Sequence, residues 1–406
     1  MKLLKNWPHV RLDSVCTKIG SGATPRGGES VYVDSGTTLI RSQNVYNGLF
    51  IVDGLTHLAD EHATQLDGVA VESADILLNI TGDSVARCCQ VPDFVLPARV
   101  NQHVAIIRPD PNRLLPEFLC YYLVSPLMQK YLLSRAGSGG TRNALTKGMI
   151  DTLEVPCPSK RDQREIAGVL SAYDDLITNN RRRIQLLEKA AQLLYREWFV
   201  RLRFPGHEHA KIKDGIPEGW TRLPLDQLCE EVRESCAPAD VEPDTPYIGL
   251  EHMPRRSIAL SEWGTAEQVT SSKHRFQEGE ILFGKIRPYF HKVGIALTDG
   301  VASSDAIVIR PRSKEYLPLV LMTVSSTGFV ADTAQKMKEG AKMPRADWKQ
   351  MRQYPVLQPS DGLLLAFNDF IEPILKQLKV LVFSNRNLGS ARDLLLPRLM
   401  SGEVAV

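Results

Sequence analysis

The chain has 406 residues, too many for one compact core, and this length fits two domains of ordinary size. Hydrophobic residues make up 43% and charged residues 24%, values typical of a folded water-soluble protein, and no apolar run is long enough to span a bilayer. The formal net charge of +2 argues against a protein that coats nucleic acid indiscriminately, because such a protein needs a strongly basic surface, but it allows local basic patches.

The cysteine pattern and the first residues bear on redox state and location. The seven cysteines are scattered, and none forms a CxxC pair or lies at metal-ligand spacing from a histidine. We therefore predict neither disulfides nor a metal site. The opening MKLLKNWPHV lacks the apolar core of a signal peptide, so we expect a cytoplasmic protein without membrane association.

Residues 1–160, the first head, are predicted to form a mixed α/β globular domain. They are rich in Gly, Pro, Thr and Val, and short apolar runs bounded by turn residues, such as VAII at 104–107, indicate strands. A stretch from roughly Leu115 to Leu133 has helical spacing that is interrupted at Pro126. Strands and helices are therefore expected in one compact domain.

Polar loops in the first head have residue types that suit DNA contact. The segments IRSQNVYNG and NITGDSVARC supply Arg, Asn and Gln, and these side chains recognise guanine or adenine through paired hydrogen bonds in the major groove. Exposed polar loops without a ligand are the alternative interpretation. The candidate DNA-binding residues of this head are Arg26, Arg41, Gln43, Asn44, Thr81, Ser84, Arg87, Thr141 and Arg142.

A long coiled-coil helix is predicted within residues 161–205, from the stretch Arg161 to Phe199, RDQREIAGVLSAYDDLITNNRRRIQLLEKAAQLLYREWF. This stretch has no proline, one glycine and many strong helix formers. Its apolar positions alternate steps of three and four, which is typical of a coiled-coil seam, and a polar Asn in a seam fixes register at a cost in stability. The alternative is an exposed Asn on an amphipathic helix. The seam residues are Ile177, Asn180, Ile184, Leu187, Leu194 and Trp198.

Residues 206–360, the second head, have a composition and short apolar runs similar to those of the first head. The segment ILFGKIRPYFHKVG interleaves cations with aromatic rings, a pattern that favours nucleic-acid contact. If it is extended, residues 285, 287, 289 and 291 share one side. The candidate DNA-binding residues of this head are Glu251, His252, Lys285, Arg287, Tyr289, His291, Lys292 and Lys342.

Residues 361–406 contain the second predicted coiled-coil helix. Pro373 is expected to start or kink it, and Pro397 with Gly402 marks its end. The seam residues of this helix are Leu378, Leu381, Asn385, Leu388 and Leu395.

The two halves are an internal repeat. WPHVRLDSVC at Trp7 matches WTRLPLDQLC at Trp220 at an offset of 213, and the offset falls through 208, 205 and 202 to a constant 201. A duplication with small deletions produces such a series, and the order of the matches makes coincidence untenable. SGGTRNALTKGMIDTLEVPCPSK and EGAKMPRADWKQMRQYPVLQPSD, at offset 201, are then the same exit from each head into its helix.

The order head, helix, head, helix predicts the architecture. A helix of some 38 residues spans roughly 55–60 Å, and its seam is buried if the second helix turns back along it. We predict a mixed α/β (α+β) protein with two similar heads separated by two antiparallel coiled-coil helices and related by a pseudo-two-fold axis. A partner should therefore bind twice. No phosphate-binding loop, HExxH, GxSxG or dinucleotide fingerprint is present, so no catalytic residue is predicted.

The helical segments carry a family resemblance. AYDDLITNNRRRIQLLEKAAQLLYREWFVRLRFPGHEH with IPEGW, and DLLLPRLMSGEV, resemble the central and distal conserved regions of type I restriction-modification specificity subunits. The resemblance implies two target-recognition domains that each recognise one half of a split DNA sequence, with the helices fixing the gap. It also implies a non-catalytic chain that binds two methyltransferase subunits, which carry S-adenosylmethionine, and joins two translocase-nuclease subunits in an ATP- and Mg-dependent complex.

Two other functions compete with this one. A duplicated coiled-coil scaffold could join two copies of a partner without binding DNA, and a hydrolase or transferase could contain an unrecognised site. The sequence differences between the heads, NITGDSVAR against GKIRPYFHK, favour two recognition domains for two different DNA sequences.

Overall fold

The computed structural model describes residues 7–137, 143–336 and 344–404. Contacts divide the chain into two compact units. Unit 1 comprises Met1–Leu176 and Leu388–Val406, and unit 2 comprises Ile177–Asn387. The domain boundaries predicted from sequence separate heads from helices, whereas the contacts group each head with the helical segments that pack on it.

Short helices lie within the heads and a long helix follows each head. The helices are α1 Asp60–Gln65, α2 Pro116–Val124, α3 Pro126–Gly137, α4 Lys147–Asp151, α5 Lys160–Tyr195, α6 Leu317–Val324, α7 Thr327–Gln335, α8 Trp348–Met351 and α9 Asp361–Met400. The interruption predicted at Pro126 separates α2 from α3, because Ser125 is extended, as a residue before proline prefers. Helix α9 continues through Pro373, so the predicted start of a helix there is wrong.

Unit 1 contains two main sheets. Its strands are β1 His9–Arg11, β2 Cys16–Ser21, β3 Tyr32–Val33, β4 Thr37–Ile40, β5 Val45–Tyr46, β6 Leu49–Phe50, β7 Thr56–Leu58, β8 Ala70–Val71, β9 Ile76–Asn79, β10 Cys88–Gln90, β11 Ala98–Val100, β12 Val104–Pro109 and β13 Glu154–Pro156. One sheet has the order β10-β9-β12-β2 and the other β3-β7-β4-β11-β8. Strands β4 and β11 are parallel, and the smaller pairs are β1-β13 and β5-β6.

Unit 2 repeats the order of the four-stranded sheet and the parallel pair of the five-stranded sheet. Its strands are β14 Ile212–Lys213, β15 Ile216–Pro217, β16 Thr221–Pro224, β17 Cys229–Val232, β18 Ser235–Cys236, β19 Pro246–Ile248, β20 Gly264–Thr265, β21 Lys273–Phe276, β22 Ile281–Gly284, β23 Val293–Ile295, β24 Gly300–Ala302, β25 Ala306–Pro311 and β26 Pro355–Gln358. The sheets are β17-β25-β22-β23 and β18-β21-β24-β19-β20, with smaller pairs β14-β15 and β16-β26. Strands β19 and β24 are parallel, as β4 and β11 are in unit 1.

Alternate residues of the central strands face different layers, as the period of two in a strand requires. In β9, Ile76 and Leu78 pack with Phe118 of α2, whereas Leu77 joins the core formed with Val100 of the second sheet. In β22, Phe283 packs with the helices and Leu282 with the second sheet. Each fully buried side chain of this size contributes about 1.5–3 kcal/mol, so both faces of the central sheet stabilise each head.

Helices α5 and α9 run antiparallel within unit 2. The Trp198 and Phe367 ring centroids are 5.6 Å apart, and Asn180 Nδ2 donates to Asn385 Oδ1 at 3.0 Å, so rising residue numbers on one helix meet falling numbers on the other. Of the seam residues, those buried are Ile177, Asn180, Ile184, Trp198, Leu378 and Leu381, and those half-buried are Leu187, Leu194, Asn385, Leu388 and Leu395.

A five-residue π-helical turn, Arg196–Val200, continues α5. Its two successive aromatic side chains, Trp198 and Phe199, are both buried in the core of unit 2.

Among the described residues no single helix has the length and apolar composition to cross a membrane. The pair Lys314–Val324 and Thr327–Gln335, bent by 64°, meets those criteria only when taken together. The residues of α6 from Pro318 to Val324 are buried in the unit 2 fold.

Candidate nucleic-acid interface

Two polar loops of unit 1 meet at the ends of adjacent strands. One follows β4 and contains the 3-10 turn Ser42–Asn44 and the β5-β6 hairpin, and the other joins β9 to β10. The Arg87 guanidinium of the second loop lies over the Tyr46 ring of the first, 4.4 Å from its centroid. Gly48 N donates to Cys88 O at 2.9 Å, which ties the hairpin to the second loop. A half-exposed cation–aromatic pair therefore joins the two loops.

Unit 2 joins the equivalent loops with the same kind of contact and exchanged roles. The Arg255 guanidinium, on the loop after β19, lies 4.1 Å from the centroid of Phe290, on the β22-β23 loop. In unit 1 the cation is on the β9-β10 loop and the ring on the hairpin. Such pairs stabilise loops by about 0.5–2 kcal/mol.

Left-handed backbone positions recur in these loops. The offsets of the repeat pair Gly48 with Arg256, Gly82 with Arg287 and Ala86 with His291. All six residues have positive φ, from +49° at Arg287 to +75° at Gly82. A side chain in this conformation costs roughly 1–2 kcal/mol relative to the right-handed form, and strain of this kind is often kept at functional sites. Unit 2 therefore keeps long cationic side chains where unit 1 has two glycines.

Asn44 and His291 are buried, and the half-buried Lys292 is bonded within its own head. Asn44 is 0% exposed, its Nδ2 donates to Ile51 O at 2.9 Å, and its Oδ1 accepts from Arg41 N at 3.0 Å. His291 is buried and its Nε2 bonds Ser325 O at 2.7 Å, while burial lowers its imidazole pKa. These two side chains shape the loops and do not present polar atoms at the surface. Lys292 Nζ likewise donates to Leu250 O.

Residues 285–291 are not extended, so the condition under which alternate residues would share one side is not met. The chain forms a 3-10 turn at Pro288–Phe290, flanked by left-handed Arg287 and His291, so alternate residues do not share one side. Proline after Arg287 and the bond from Arg287 N to Pro344 O at 3.0 Å favour this turn. Arg287 and Tyr289 are exposed on it.

Other predicted residues have partners within their own head. Arg41 Nη2 and Gln43 Nε2 both donate to Gly54 O, at 2.7 Å and 3.2 Å, and Lys285 Nζ donates to Ser304 O at 3.0 Å. Burial also lowers the Lys285 pKa.

The remaining predicted DNA-binding residues differ from one another in exposure and in hydrogen-bond partners. Thr81 Oγ1 lies 2.6 Å from His103 Nδ1, and the imidazole of His252 accepts from Gly249 N at 3.0 Å. Arg26 and Glu251 are exposed, and Ser84 is half-buried. The predicted contacts Thr141, Arg142 and Lys342 lie outside the described residues.

Sequence reasoning missed Tyr46, Arg255 and Phe290, which belong to the two pairs, and the adjacent Arg256. All four lie at or near the surface of these loops. The repeat offered a signal, because Arg256 and Arg287 align with glycines, and glycine at a loop position points to positive φ.

The chain is similar to proteins of one class. Residues 5–189 match the family model for the type I restriction modification DNA specificity domain. The type I restriction enzyme MjaIX specificity subunit of Methanocaldococcus jannaschii is 22% identical over 100% of this chain and 95% of its own length. The EcoDI specificity subunit of Escherichia coli is 26% identical over 74% and 70%, respectively.

A solved structure shares the fold. The S subunit of a type I restriction-modification system from M. genitalium is 16% identical, covers 98% of each chain and superposes with a TM-score of 0.62. Residues 5–189 therefore carry a type I restriction modification DNA specificity domain, and along its length the chain is similar to the specificity subunits of type I restriction enzymes, which are non-catalytic subunits that recognise the DNA target.

Proposed function

We propose that each unit recognises one half of a bipartite DNA sequence through its pair of joined loops, and that α5 and α9 set the spacing between the halves. One observation supports this most directly: equivalent loops in both units form a surface cation–aromatic pair from different residues. Two domains that recognise different DNA sequences need the same fold with different polar residues on their loops.

The partners follow from the same proposal. Two copies of a methyltransferase subunit would dock on the repeated surfaces, and two restriction-translocase subunits would complete the enzyme. S-adenosylmethionine, ATP and Mg would then be bound by those subunits and not by this chain. Among the described residues, no group of three or more His, Cys, Asp or Glu side chains is arranged to hold a metal ion.

Mapping of methylated bases in cells that express the chain with its methyltransferase tests the proposal. We expect a split motif with one methylated half-site for each unit. Insertion of one helical turn near Asn180, with a matching turn near Asn385, should change the spacer and leave the half-sites unchanged. Absence of any split motif would favour a non-DNA adaptor scaffold, and altered base preference in the insertion variant would contradict the spacing role.

A further inference from the structure

The loop that carries Arg255 and Arg256 is attached to α5 by one carboxylate. Glu188, a buried residue of the helix, accepts three hydrogen bonds on a single oxygen, Oε1. The donors are Ser257 Oγ at 2.6 Å, Ile258 N at 2.9 Å and Ala259 N at 2.9 Å. The residues immediately after the arginine pair are thus fixed to the helix through the Glu188 side chain.

Helix α9 contacts the same segment of unit 2 further along. The Arg386 guanidinium lies over the Trp263 ring at 3.8 Å from the centroid, and Phe383 packs against that ring at 5.7 Å. Both long helices therefore hold the segment that begins with the arginines, and Glu188 is its polar anchor.

Unit 1 anchors its equivalent hairpin differently. There Asn44, a residue of the head itself, donates to Ile51 O, and Ile51 N donates to Asn44 O at 2.8 Å. The position of α9 that the 201-residue offset pairs with Glu188 is Gly389, which has no side chain to reach a loop. Anchoring of a loop by a helix carboxylate at this position is thus specific to unit 2.

Arg256 is the residue that this anchor orients. It is exposed, has φ of +59°, and its N donates to His291 O at 2.9 Å, so its backbone is bonded to the other loop. Phosphate contact tolerates many side-chain geometries, whereas paired hydrogen bonds to a base edge need a fixed direction. The Arg256 backbone is strained and is held between the Glu188 bonds and the bond to His291 O. Such an arginine suits the fixed direction that contact with a base edge needs.

We propose that Arg256 determines base specificity in the half-site recognised by unit 2, and that Glu188 is the positioning residue that orients it. This inference rests on the proposed DNA recognition by the loops. It follows that a substitution in the spacing helix alters base preference in one half-site only.

Four variants of the full chain, each expressed with the methyltransferase subunit, test the inference by mapping of methylated sites. Arg256→Gly should lower base discrimination at one position of one half-site by about 5- to 150-fold. Glu188→Ala should relax the same half-site, and Glu188→Gln should restore it, because the amide oxygen can replace Oε1 as acceptor. Lys189→Ala, an exposed neighbour on the helix, should leave both half-sites unchanged.

The outcomes distinguish failure of the Arg256 and Glu188 assignment from failure of the proposed DNA recognition. A split motif from the wild-type chain that is unaltered in Arg256→Gly overturns the inference, as does equal relaxation of both half-sites in Glu188→Ala. If Glu188→Ala does not fold, Arg256→Gly still decides, because glycine adopts the left-handed conformation without strain. Absence of a split motif from the wild-type chain overturns the proposed function itself.

Discussion

Removal of Arg108 should destabilise unit 1 more than removal of its repeat equivalent, Arg310, destabilises unit 2. Arg108 joins the central strand β12 to Asp75, whose side chain is 0% exposed. Its Nε and Nη2 donate to the two carboxylate oxygens at 2.7 Å and 2.8 Å, and Glu72 N donates to Oδ2 at 2.7 Å. Methionine at position 108 would leave a buried carboxylate with one remaining donor.

The expected loss of stability depends on how exposed each arginine side chain is. Loss of one partner of a buried ion pair costs about 3–5 kcal/mol, because the other charge stays desolvated and unpaired. The Arg108 side chain is only 20% exposed, so we expect Arg108→Met to cost an amount in that range. The Arg310 side chain is 34% exposed beside Glu280, and water can replace more of the lost contact, so we expect about 1–2 kcal/mol for Arg310→Met.

Urea unfolding of the full chain, followed by hydrogen exchange and mass spectrometry, separates the units. Peptides from β9 and β12 report on unit 1, and those from β22 and β25 report on unit 2. The double variant Asp75→Leu/Arg108→Met should recover most of the lost stability, since apolar residues of similar volume replace the pair. An equal or larger loss in Arg310→Met, or no recovery in the double variant, would refute the reasoning.

Two further predictions concern the helices of unit 2. Asn180→Leu alone should lower the free energy of unfolding in urea by about 1–3 kcal/mol, because it leaves the Asn385 amide without its partner. The double variant Asn180→Leu/Asn385→Leu should be neutral or stabilising. Equal losses in both variants would contradict the pairing. Burial raises the Glu188 pKa above its ordinary value of 4.5. Its contribution to stability is therefore complete below about pH 4.5 and is lost as pH rises through the folded-state pKa. The stability of Glu188→Gln minus that of the wild type should grow from pH 4 to pH 7, and a flat difference would contradict the assignment.

Local patterns predicted the repeat, the strands and the long helices. Apolar runs such as those of β12 and β25 specify strands because both faces are buried, and the seam positions of α5 and α9 repeat because each helix covers the other. These features depend on neighbours within a few residues or at a constant period. The duplication strengthened them, since each element appears twice in the same order.

The candidate interface was less predictable because its geometry depends on distant partners. Asn44 has a residue type suited to adenine, but its amide is used by its own loop backbone. The anchor between Glu188 and Ile258 joins residues 70 positions apart, and no periodicity marks it. The stacked pair of Arg255 on Phe290 likewise joins two loops. Residue type alone could nominate these loops but not the side chains that face outward.

The comparison of the two units also bears on why the net charge is small. A protein that must distinguish sequences gains from charge confined to the reading loops, because an evenly basic surface would favour every sequence equally. Unit 2 concentrates Arg255, Arg256 and Arg287 on two joined loops, whereas unit 1 has Gly48 and Gly82 at two of the equivalent positions. Arg256 and Arg287 are exposed and have positive φ, so burial of their own side chains does not offset this strain. The strain is most simply explained by a ligand that needs cations in fixed directions. A domain that recognises bases has this requirement, whereas a general phosphate binder does not.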